Sequence, residues 1–126
     1  MERQLSERLN IVQLIDAYGG LLTARQLGLL RRYYLDDLSL SEIAERVEVT
    51  RQAVFDSLRR SVEELNRLEG ALGVVAAADR ATRRKVQIAG RLKALERSLA
   101  GLADRVDEKI LSEISDQIIA LRRVCL

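Results

Sequence analysis

The sequence predicts an all-α protein, and three observations lead there. Among 126 residues there is no proline, so the strongest internal breaker of a helix is absent. Apolar residues recur at steps of three and four along most of the chain and do not alternate. Between these stripes stand Thr23, Ser39 and Thr50, residues of the type that caps helix starts.

The first helix is expected from the stripe Leu5, Leu9, Val12 and Ile15, closed by Tyr18 and stopped at Gly19-Gly20. Thr23 with Gln26 has the form of a capping box and starts a second helix that runs to about Leu35, burying Leu27, Leu30 and Tyr34. Asp36-Asp37-Leu38 reads as a turn. Ser39 with Glu42 forms a second capping box, and Ile43, Ala44 and Val47 make the apolar face of a short third helix. After the connector Glu48-Val49, Thr50 caps a fourth helix, whose inward stripe is Val54, Leu58, Val62, Leu65 and Leu68, ending near Gly70 or Gly73.

From about Val74 the pattern changes. Ile88, Leu92, Leu95, Leu99, Leu102 and Val106 form a heptad seam, with Gly90 and Gly101 off it, each weakening the helix by roughly 1 kcal/mol relative to alanine. A last helix carries Ile110, Ile114, Ile118 and Leu121 on one face. An antiparallel helical hairpin within one chain is expected from this seam, and as a short coiled coil it can also contribute to a homodimer. The division expected is therefore a first domain over 1–69 and a C-terminal helical extension over 70–126.

Composition narrows the function. Histidine is absent, removing the commonest general base and metal ligand, and neither a partnered nucleophile nor a phosphate loop is present, so the protein is expected not to be an enzyme. No cofactor and no metal are implied. Asp36 and Asp37 read as turn residues and not as a catalytic carboxylate pair. The single cysteine, Cys125, excludes an intrachain disulfide framework and points to a reducing cytoplasm. MERQLSERLN lacks the basic and apolar regions of a signal peptide, and Ala71 to Ala78, the longest apolar run, is far short of the roughly 18 to 20 residues of a membrane span. A net charge of +2 is too small to identify a nucleic-acid binder, so local charge carries that argument.

The third and fourth helices match a helix-turn-helix over 39–60. Ile43, Val47, Val49 and Val54 fall where the two helices bury side chains against each other, and Ala44 is small where they cross. The outward face of the second helix then carries Arg51, Gln52, Phe55, Asp56, Arg59 and Arg60. Arginine bonds guanine and glutamine bonds adenine in bidentate fashion, so Arg51 and Gln52 suit base edges, and Phe55 suits a thymine methyl. Thr50 with the free amides of the helix start suits a phosphate, and Arg59 and Arg60 suit others. Each residue also has a plainer role: Thr50 as a cap, Phe55 as a packing residue, Arg59 and Arg60 as partners of Glu63 or Glu64. Glu48 stands where glycine is common, so a left-handed conformation there is strained, and Asp56 repels phosphate unless it accepts from a cytosine amino group.

A second basic cluster, Arg80, Arg83, Arg84 and Lys85, opens the long helix. It reads as a solvated surface, as a backbone-contacting patch for DNA or structured RNA, or as a dock for an acidic partner.

The segment LSLSEIAERVEVTRQAVFDSLRR resembles region 4 of sigma-70-type factors. The longer run from Leu21 to Asp56, and YYLDDLSL within it above all, is similar to the YlxM family of small bacterial proteins. Membership would imply a sigma-region-4-like helix-turn-helix with a helical extension and no catalytic activity. It would also imply a DNA-binding or regulatory role linked to the signal recognition particle, whose protein component is usually encoded beside the family's genes. Partners implied are DNA, and the particle's GTPase or its RNA.

Overall fold

A computed structural model describes residues 1–125, and six α-helices with no strand account for most of them. They are α1 (Glu2–Tyr18), α2 (Ala24–Tyr34), α3 (Leu40–Val47), α4 (Arg51–Leu72), α5 (Val74–Leu102) and α6 (Glu108–Cys125), with a 3-10 turn at Gly19–Leu21. The chain forms two compact units, Met1–Ala76 and the part from Ala77 onward.

All three cap signals form. Thr23 and Gln26 exchange the two bonds of a capping box, at 3.2 and 3.1 Å, and Ser39 and Glu42 do the same, at 3.1 and 3.3 Å. Helix α4 ends at Gly73, which takes a left-handed conformation (φ 62°) that a side chain would strain.

The core of the first unit is built from Leu14, Ile15, Tyr18, Leu29, Leu30, Ile43, Ala44, Val54, Leu58 and Leu65. In α1 the expected phase is corrected: Leu5 and Leu9 are exposed, while Leu14 is fully buried. At 100° per residue, Ile11, Leu14, Ile15 and Tyr18 share one face, and Leu5 and Leu9 lie more than a quarter-turn away from it. In α2, Leu29 is buried beside Leu30, while Leu27 and Tyr34 are half-buried. Gly19 permits this packing, because a Cβ there would stand 3.0 Å from Leu27 Cδ1.

The turn between α2 and α3 is held from α1. Arg8 donates to the Tyr33 carbonyl at 2.8 Å, pairs with Asp37, and lies 5.7 Å from the centroids of both Tyr33 and Tyr34, whose rings meet edge to face. A cation thus satisfies the C-terminal carbonyl end of α2, and Asp37 is held at a left-handed φ of 56°. Burial pushes the Tyr34 hydroxyl above its ordinary pKa.

A second tie joins α1, α4 and the start of α5. The Tyr18 hydroxyl donates to Glu69 Oε1 at 2.5 Å and accepts from the Val74 amide at 3.0 Å. Glu69 also accepts from the amides of Val75 and Ala76, at 3.0 and 3.2 Å, and so caps α5 from across the turn. The Tyr18 bond, with the two amide bonds behind it, holds the Glu69 carboxyl below the ordinary glutamate range. Burial and the same carboxylate raise Tyr18.

In the second unit α5 and α6 run antiparallel, with Leu99 and Ala100 beside Leu111 and Ser115, and Glu96 in an ion pair with Arg122 at 2.7 Å. Here too the expected faces are corrected. Leu92 and Ile118 are buried, but Leu95, Leu102, Ile110, Ile114 and Leu121 are exposed, and Val106 lies beyond the end of α5. A helix drifts by about 20° per heptad against a straight seam, which carries Leu95 and Leu102 to its trailing edge.

Candidate nucleic-acid interface

The two short segments of the expected motif form a helix, a tight turn and a second helix. Helix α3 ends at Glu48, which adopts the left-handed conformation (φ 56°, ψ 44°), and the Val49 amide then donates to the Ala44 carbonyl at 3.1 Å. Thr50 is extended, and its hydroxyl accepts from the Ala53 amide at 3.1 Å, which starts α4. Ile43, Ala44, Val54 and Leu58 are buried together, while Val47 and Val49 pack at the edge. The turn is thereby set from below by the core and from within by one left-handed residue.

That packing leaves the first three turns of α4 accessible on the other side. Arg51, Gln52, Arg59 and Arg60 are exposed, Phe55 is 49% exposed and Asp56 is half-buried. Gln52, Asp56 and Arg59 share one helical face, Arg51 and Phe55 the neighbouring one, and Arg60 lies toward the opposite flank. Gln52 Nε2 donates to Asp56 Oδ1 at 3.2 Å, so the carboxylate on this face is occupied by a neighbour in the free protein. Among the described residues Arg51, Arg59 and Arg60 form no ion pair, and Glu64 bonds Arg67 instead, at 2.6 and 2.9 Å. Phe55 does not pack away, and its exposure leaves an apolar surface amid cations.

The second cluster belongs to the second unit. Arg80, Arg83, Arg84 and Lys85 are all exposed on α5 in the second unit, and none forms an ion pair among the described residues. No group of side chains that could hold a metal ion occurs among the described residues. Among the described residues no helix is long and apolar enough to cross a membrane.

Sequence reasoning did not find Arg8 or Glu69. Arg8 acts on residues 25 and 29 positions away, and Glu69 bonds a tyrosine 51 positions away, so no local spacing marks either.

Fold and surface together define a helix-turn-helix protein. Comparison with known proteins agrees: residues 5–105 match the family described as "Putative helix-turn-helix protein, YlxM / p13 like". The chain belongs to this family, also called UPF0122. A UPF0122 protein of Geobacillus kaustophilus is 40% identical over 111 residues, covering 82% of this chain and 97% of the relative. One from Desulforamulus reducens is 38% identical over 102 residues, covering 81% and 87%. One from Listeria monocytogenes is 46% identical over 70 residues, covering 56% and 62%.

Proposed function

We propose that this protein is a regulatory factor of the bacterial cytoplasm that binds duplex DNA through the helix-turn-helix, with α4 as the recognition helix from Thr50. The observation that carries the reading is the exposed start of α4, where among the described residues Arg51, Gln52, Arg59 and Arg60 have no acidic partner except for the Gln52–Asp56 bond. In this reading Arg51 and Gln52 meet base edges, Phe55 a thymine methyl and Asp56 a cytosine amino group. Thr50, Arg59 and Arg60 contact phosphates. The working division is a DNA-binding domain over 1–69 and an extension over 70–126.

A second reading is supported by the exposed cluster Arg80, Arg83, Arg84 and Lys85. Here the protein is an accessory factor of the signal recognition particle, docking its GTPase or its RNA, and the resemblance of the YYLDDLSL block favours that link. Self-association through α5 and α6 belongs to the same picture, supported by the exposed Leu95, Ile110 and Ile114 and readable by sedimentation at several concentrations.

One experiment separates the two. Capture from native lysate, with protein and nucleic acid identified together, is run on the wild type and two variants. On the first reading DNA is recovered, and R51A/Q52A loses sequence preference more than total affinity, by about 1–3 kcal/mol at the contacted bases. On the second reading the particle is recovered, and neutralising Arg80, Arg83, Arg84 and Lys85 releases it. Unchanged DNA selectivity in R51A/Q52A removes α4 from the account.

A further inference from the structure

Between α2 and the helix-turn-helix lies a cleft of about 260 Å³, lined by Leu29, Val47, Val49, Ala53 and Val54 below and by Arg25, Arg32 and Ser57. Neither the motif nor the family resemblance involves α2 in binding. Arg25 and Arg32 are seven residues apart, hence on one face of α2, about 10.5 Å apart along its axis. Gly28 sits between them, and a Cβ on it would meet the Arg32 guanidinium at 3.2 Å, so Arg32 lies back along the helix toward Arg25. Among the described residues neither arginine forms an ion pair, and no carboxylate lines the cleft. Glu48, between the lining residues Val47 and Val49, is exposed and is not part of the lining.

Two cations lining one cleft that has no acid in its lining favour an anion there. The cleft's position identifies it. Ala53 and Ser57, which line the α4 side, share a flank of α4 with Arg60, directly beside the face that carries Gln52, Asp56 and Arg59. We infer that Arg25 and Arg32 grip the sugar–phosphate backbone of one strand of duplex DNA, flanking the groove entered by α4, with Arg60 continuing the same row. The two arginines are rooted about 10.5 Å apart along α2 and Arg32 leans back toward Arg25, so both side chains can reach phosphates of one strand. This rests on the DNA-binding reading of α4 and adds to it the element that fixes how the recognition helix is oriented on the duplex.

The test is anisotropy binding of the full chain to a mixed-sequence duplex across salt, with the wild type, R25A/R32A, R25K/R32K and R51A/Q52A compared. Loss of two phosphate contacts lowers the slope of log affinity against log salt by about 1.8, so the wild-type advantage over R25A/R32A shrinks about tenfold between about 50 and 200 mM salt. R25K/R32K, which keeps the charge, is expected to keep the slope. Arg25 is exposed and Arg32 half-buried, so thermal melts of each variant establish that it is folded at the temperature of the binding assay. If the wild type binds and R25A/R32A shows the wild-type slope, the α2 contact is overturned and the α4 reading survives. If the wild type binds no duplex at low salt, both fall.

Discussion

Glu48 is the residue at which the helix-turn-helix carries a local cost. A residue with a Cβ in the left-handed region is disfavoured by roughly 1–2 kcal/mol, and Glu48 occupies it at φ 56°. Its carboxylate also stands at the C-terminal, negative end of α3, where an acid is unfavourable. Replacing Glu48 with glycine removes both terms and adds some freedom to the unfolded chain, so E48G should be more stable by about 1 kcal/mol in urea denaturation. A neutral or destabilising result would mean that the Glu48 side chain makes a compensating contact. Arg8 illustrates the opposite case, a single side chain that fastens a turn from a distance through a carbonyl, a carboxylate and two rings.

For the helices as elements, the start of α4 matters most because Thr50 joins structure to the proposed contact. Its hydroxyl satisfies the Ala53 amide, and T50A should cost about 1 kcal/mol of stability while T50S costs little. Equal stability of T50A and wild type would show that water replaces the cap. In α1 and α5 the sequence shows the helical period and part of the buried face: Ile15, Tyr18 and Leu92 are covered as expected, whereas Leu5, Leu9, Leu95 and Leu102 are not. Leu5 and Leu9 have the spacing of a core stripe, but the face bearing Leu14, Ile15 and Tyr18 meets the other helices. An apolar stripe specifies a helix, and only its neighbours determine which stripe is covered.

Across the first unit as a whole, Tyr18 and Glu69 connect the first helix to the start of α5 by four hydrogen bonds. Glu69 is held below its ordinary pKa, so its contribution is fully present above the unfolded-state value near 4.3 and is lost as pH falls through the folded value. Melting temperature should therefore fall on acidification below that range, and E69Q should start lower at neutral pH and show a shallower acid decline. A mutant with the wild-type acid profile would shift the effect to other carboxylates. Glu64, also lowered by its bond to Arg67, is an exposed i,i+3 pair and serves as the control, E64Q, with little expected change.

The sequence by itself determined the helical class, the three caps and the helix-turn-helix, because each rests on residues within four positions of one another, where backbone geometry alone sets the partners. It also named the exposed side chains at the start of α4, since burying Val54 and Leu58 leaves the opposite face no alternative. What only the tertiary structure decided is everything that depends on distant partners: the phase of α1, the exposed flank of the α5 seam, the Arg8 and Glu69 ties, and the cleft that sets Arg25 and Arg32 beside α4. The physical reason is that periodicity records how a helix turns, while burial and charge pairing depend on which surfaces other helices bring to it.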